Sequence, residues 1–206
     1  MCAHSERKEK LMQIEKVTIE DAKELVEIYR PYVEETAVSF EYVTPSPEEF
    51  AERIRTISEN YPYLKAVENG SIIGYAYAAA FKSRAAYDWS VETTVYVRRD
   101  CRGRGVGHAL YKALEQCLSW MGILNMNACI AALPKGSIDK HLTDASIFFH
   151  KKFGFDMVGR FHNSGYKFDT WYDMVWMEKQ IGEHKCPQDG VRLGGWKDFD
   201  CSMGCE

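Results

Sequence analysis

Val91-Glu92-Thr93-Thr94-Val95-Tyr96-Val97, closely followed by Arg102-Gly103-Arg104-Gly105-Val106-Gly107, decides the fold of this chain. The first stretch alternates with period two, with its valines on one face and Glu92, Thr94 and Tyr96 on the other, the pattern of a central strand. After the second, Ala109, Leu110, Ala113, Leu114, Cys117, Leu118 and Met121 recur at three and four residues, an amphipathic helix ending near Gly122. A strand, a glycine loop and a helix start in that order present free backbone N–H groups at the positive end of a helix dipole, which suits phosphate. Glycines at 103, 105 and 107 allow close backbone approach, and Arg102 and Arg104 add charge-assisted contacts. The spacing is neither the Gly-x-x-x-x-Gly-Lys-Ser/Thr of a nucleotide P-loop nor the Gly-x-Gly-x-x-Gly of a dinucleotide fold.

Upstream, Thr18-Ile19-Glu20-Asp21 resembles a capping box and opens a helix running from about Ile19 to Glu34. Ser46-Pro47-Glu48-Glu49 opens a second, with Phe50, Ile54 and Ile57 on its buried face. Asn69-Gly70 suits a two-residue type I′ turn between strands at 65–68 and 71–77. Downstream, a short buried strand at 127–131, a helix over 144–153 stopped by Gly154, and strands at 155–161 and 171–178 follow. The chain divides into a flexible N-terminus over 1–12, one domain over 13–182 of mixed α/β character, and a tail over 183–206 with little regular structure.

With 206 residues, 46% of them hydrophobic, there is material for one well-buried domain. A net charge of −4 excludes the global positive field that nucleic acids or anionic membranes select, so neither partner is expected. No apolar run approaches the ~20 residues of a spanning helix, and residues 1–8 lack a signal-peptide core, so a cytoplasmic location is expected. Cys117 and Cys129 fall in apolar segments and read as buried free thiols. Cys186, Cys201 and Cys205 lack the partners of a structural zinc site; the expectation is a flexible tail with reduced thiols and no bound metal.

The Arg-x-x-Gly-x-Gly pattern after a Val-x-Val strand end resembles the GNAT acyltransferases, whose loop binds the pyrophosphate of acetyl-CoA. Within that family, Arg84 to Val97, Tyr29 to Val33, Ala37 to Tyr42 and Gly165 to Phe168 with Trp171 resemble the phosphinothricin N-acetyltransferase branch, over about residues 13 to 182. The resemblance implies a GNAT fold, a mostly antiparallel sheet with a central strand-loop-helix coenzyme site. It further implies acetyl-CoA as co-substrate, a small amine as acceptor, and a homodimer.

The resemblance assigns Glu92 as general base; a solvent-exposed strand glutamate is the alternative from the residues alone. Backbone N–H groups near Val95 would bind the thioester oxygen if the strand opens there, and Val95, Tyr96 and Val97 would pair with the pantetheine arm. His150 stands where relatives carry a tyrosine or histidine beside the coenzyme sulfur, a candidate acid or a structural histidine. Lys82 and Arg84 resemble positions that meet an acceptor carboxylate, and Phe40, Tyr87 and Trp89 are candidate pocket walls or core. No asparagine lies between Asn127 and Asn163, where relatives often contact the coenzyme with one; Thr143 or Ser146 is the candidate substitute, and 134–142 reads as an insertion. Phe168 stands where some relatives have histidine. Rival readings are an acetyltransferase for protein amino termini or lysines, a non-catalytic coenzyme sensor, and a metal-binding module built on the tail cysteines.

Overall fold

The computed structural model describes residues 12–200. Residues 1–11, expected to be flexible, and Cys201 and Cys205 lie outside them. A seven-stranded sheet of order β1-β2-β3-β4-β5-β7-β6 organises the chain. Its strands are β1 (Gln13–Lys16), β2 (Tyr63–Glu68), β3 (Ser71–Ala80), β4 (Ser90–Val97), β5 (Asn125–Ala132), β6 (Asp156–Lys167) and β7 (Thr170–Gln180). Only β4 and β5 pair in parallel, the helix at Val106–Met121 returning the chain to the same end of the sheet between them.

Helices α1 (Ala22–Glu35) and α2 (Pro47–Ser58) cover one face, burying Leu25, Val26, Tyr29, Phe50 and Ile54 against Tyr63 and Tyr75. Helix α3 (Val106–Met121) covers the other, with Leu110, Leu114 and Leu118 fully buried. Helix α4 (Ala145–Lys152) follows β5. Ser46 and Glu49 form a reciprocal capping box at the start of α2, as their spacing predicts. The Asn69-Gly70 turn has φ values of 54° and 76°, as a type I′ turn requires.

Three features depart from the sequence reading. Strand β1 is short and carries too little alternation to be read. Strands β6 and β7 are longer than expected and meet in a tight turn, with Phe168 and Asp169 at φ 49° and 56°. Left-handed backbone is costly for a phenylalanine; here the ring stacks on His141 at 3.9 Å and 9°. Among the described residues the tail lacks strands and long helices, yet residues 183–200 are not loose. Trp196 is buried and donates to the Ser58 carbonyl, Arg192 N–H donates to the Met121 carbonyl, and Gly194 N–H to that of Asn60. Single aromatic and backbone anchors of this kind have no periodicity to read.

Candidate active site

Strand β4 pairs with β3 from Val91 to Val97 but with β5 only at Ser90, Val91 and Glu92. Beyond the Glu92–Asn127 pair the two strands diverge, and side chains close the apex: Thr93 Oγ1 donates to the Asn127 carbonyl at 3.1 Å, and Asn127 Nδ2 to that of Val91 at 3.1 Å. Arg98 N–H bonds the Ile73 carbonyl of β3, so by alternation Val95 directs its N–H and C=O into the fork. Val97 also faces the fork, but its N–H and carbonyl are both taken by the Tyr32 hydroxyl. The strand therefore opens at the expected place, with Val95 free to pair in the fork and Val97 already engaged.

A cleft of about 290 Å³ passes through this fork. The pairs Ala79–Glu92, Tyr77–Thr94 and Tyr75–Tyr96 put Glu92, Thr94 and Tyr96 on the α1/α2 face, where Phe40 and Tyr77 also line the cleft. Thr93 and Val95 face α3, where Tyr111, Ser146 and His150 line it. Phe40 lies against Gly165: a Cβ there would come within 2.3 Å of its ring. Lys167 Nζ, buried, donates to the carbonyls of Val33, Thr36 and Ser39 at 2.6, 2.9 and 2.7 Å, tying the end of α1 and the Phe40 loop to β6. Helix C-terminal carbonyls carry partial negative charge, which an ammonium satisfies without a carboxylate.

Glu92 is half-buried, and burial raises its carboxyl above the usual range, with Lys82 pulling the other way. His150 departs from the acid role. Burial lowers its pKa from 6.5 to about 4, against a smaller opposing hydrogen bond to the Ser146 backbone. The Ser146 carbonyl can only accept, so Nδ1 carries the proton at 2.8 Å and Nε2 accepts from the Tyr111 hydroxyl at 3.0 Å. A neutral ring in this tautomer has no proton on the nitrogen facing Tyr111.

At the glycine loop, Gly103 and Gly105 have φ of 74° and 84° with open space around them, the conformation and clearance an approaching anion needs. Gly105 is the N-cap of α3, whose first N–H groups point outward. Gly107 plays a different part from the expected one: a Cβ there would meet the Phe149 ring at 3.3 Å, so it serves the packing of α4 on α3. Arg102 stacks over Tyr32 at 4.8 Å, while Arg104 is paired with Glu68 at 2.6 Å. The open glycines, the helix start and the fork that meets them fit acetyl-CoA.

The acceptor side needs more correction. Tyr87 is exposed beside Phe81, and Trp89 Nε1 donates to the Asp189 carbonyl of the tail, so neither lines the cleft. Lys82 lies over the Phe81 and Trp176 rings near Glu92, and Arg84 is exposed at a short 3-10 turn. Thr143, one residue ahead of the α4 N-cap, accepts from Ala145 N–H and is not a cleft residue. Among the cleft residues that escaped the sequence reading, two carry reactive groups. Tyr111 lies on the buried face of α3, where it reads as core. Cys129, expected to be buried, is exposed to the cleft because the strands part beside it; its thiol is pushed up to about 11, chiefly by desolvation within the cleft walls and then by the nearby Glu92 carboxylate.

Residues 14–176 match the model of the acetyltransferase (GNAT) domain. The chain is 34% identical over 166 residues to phosphinothricin N-acetyltransferase of Streptomyces coelicolor, covering 79% of this chain and 92% of that protein. It is 32% identical over 124 residues to the L-methionine sulfoximine/L-methionine sulfone acetyltransferase of Pseudomonas aeruginosa, covering 60% and 67%. Among solved structures, a phosphinothricin acetyltransferase from Sinorhizobium meliloti in complex with acetyl-CoA superposes with a TM-score of 0.78 at 33% identity, over 87% of this chain and 95% of that one. The chain belongs to the GNAT acetyltransferase family. It is an acetyl-CoA-dependent N-acetyltransferase.

Proposed function

We propose that this enzyme acetylates the α-amine of a small amino-acid-like acceptor of the phosphinothricin, methionine sulfone or methionine sulfoximine type, with Glu92 as general base. The observation that carries this reading is the position of Glu92: half-buried at the fork apex, on the face that holds Phe40, with a raised pKa. An alkylammonium must lose a proton before it attacks a thioester, and a carboxylate whose pKa is raised toward neutrality is a better acceptor for it. The amine nitrogen bonds to the acetyl carbon, the carbon–sulfur bond breaks, and coenzyme A leaves as the thiol, its sulfur taking up the second proton that the nitrogen sheds as the amide forms. Val95 N–H, turned into the fork, supports an oxyanion role for that backbone. Tyr111 can pass a proton to the leaving sulfur by turning its hydroxyl away from His150 Nε2, which accepts from it in this structure. Gly103, Gly105 and Arg102 would hold the pyrophosphate, and Lys82, which lies near Glu92, the acceptor carboxylate together with Arg84.

The reading is tested by thiol release from acetyl-CoA across phosphinothricin, methionine sulfone, methionine sulfoximine and simple polyamines. Turnover with the amino acids and not the polyamines is expected; no release with any of them contradicts it. We also propose a homodimer built on edge strand β6, where Met157, Val158 and Phe161 are exposed. Light scattering should give twice the chain mass, and Phe161→Asp should reduce it.

A further inference from the structure

A second, smaller chamber of about 50 Å³ lies between the sheet and helices α1 and α2. Tyr77 and Tyr96 line both spaces, so the chamber adjoins the acceptor face of the cleft. Tyr63, Tyr75 and Phe50 also line it, and the partly exposed Arg53–Glu41 ion pair, at 2.7 Å, marks its outer side. Among the described residues, Tyr75 Oη and Ser58 Oγ are the buried side-chain polar atoms without a hydrogen-bond partner. Tyr75 is fully buried. A hydroxyl buried unpaired is costly, and its occurrence in a wall of this chamber points to something that pairs with it.

We propose that this chamber is an acceptor subsite: it seats the small, oxygen-bearing head group of the acceptor side chain, with Tyr75 Oη as hydrogen-bond donor. This rests on the proposed function, in which the acceptor amine meets Glu92. Allowing roughly 10–15 Å³ of such space for each water-sized group, the chamber takes about four. A methylsulfonyl or methylphosphinyl head is of that size, with an apolar methyl for the aromatic walls and oxygens for a hydroxyl. The span also fits. Glu92 and Tyr96 are four residues apart on one strand, roughly 13 Å, and Tyr75 pairs opposite Tyr96. An extended amino-acid side chain with a hydrogen bond at each end covers that length. A purely aliphatic side chain of the same size leaves Tyr75 Oη unpaired, so the subsite discriminates by chemistry as well as by volume.

Tyr75→Phe tests this without endangering the fold, because it removes an unpaired buried hydroxyl and keeps the ring; its melting temperature should equal or exceed that of the parent. Initial rates are compared with methionine sulfone and with norleucine, which lacks the oxygens. The expected result is an about tenfold fall in kcat/KM for the sulfone. The calorimetric Kd for the sulfone should weaken by the same factor, with norleucine turnover and KM for acetyl-CoA unchanged. An equal effect on both acceptors, or none on the sulfone, overturns the subsite while leaving the proposed function standing. A parent enzyme inert toward methionine sulfone but active with phosphinothricin overturns the subsite alone; one inert toward the whole acceptor panel overturns the proposed function and the subsite with it.

Discussion

Tyr111 Oη lies 3.0 Å from His150 Nε2, on the α3 face of the cleft and opposite the face that carries Glu92. With Nδ1 committed to the Ser146 carbonyl, this contact fixes a buried histidine in its neutral form. The consequence is a pH dependence of stability. His150 titrates at about 4 when folded and near 6.5 when unfolded, so between those values the unfolded chain binds more protons. Its contribution is fully present above the unfolded value and is lost as pH falls through the window, about 3 kcal/mol in all. Urea unfolding at pH 7 and pH 4.5 should show this loss in the parent and a smaller one in His150→Phe; identical pH dependence in both would remove His150 as its source.

Two glycine substitutions should separate the two substrates. Gly105→Ala forces a side chain onto a φ of 84°, costing about 1–2 kcal/mol of local strain where the coenzyme loop turns into α3. KM for acetyl-CoA should rise several-fold. Gly165→Ala drives a methyl into the Phe40 ring and should raise the acceptor KM instead. Steady-state kinetics with each substrate varied in turn checks both, and a reversed pattern would contradict the assignment of the two faces.

Lys167→Met leaves the carbonyls of Val33, Thr36 and Ser39 without their shared donor. A stability loss of about 2–4 kcal/mol is expected, read as a lower urea midpoint at an unchanged slope. Because the same contacts hold the loop that carries Phe40, the acceptor KM should rise at temperatures where the variant remains folded.

The strand, glycine loop and helix from Val91 to Met121 were legible because each is a local pattern: period two, then glycines, then spacing of three and four. The fork was not. It depends on where β4 and β5 stop pairing, a register set by the Thr93 and Asn127 side chains. That register explains why Cys129 is exposed although its segment reads as buried. Trp89 is adjacent in sequence to the strand that carries Glu92 but turns to Asp189 in the tail, so proximity along the chain misplaced it. Tyr111 sits among the leucines of α3, and nothing in the helical pattern distinguishes a cleft hydroxyl from one more core ring.

The central claim is that Glu92 takes the acceptor's proton, and the direct measurement is the kinetics of Glu92→Gln, which keeps size and hydrogen bonding but cannot accept a proton. With methionine sulfone as acceptor, kcat should fall by about 10²–10⁴ while the calorimetric Kd for acetyl-CoA stays that of the parent. In the parent, the acid limb of kcat/KM should lie above the ordinary carboxylate range, as burial of Glu92 requires, and the variant's residual activity should lack that limb. A variant that retains parental kcat with the same acid limb would contradict the account.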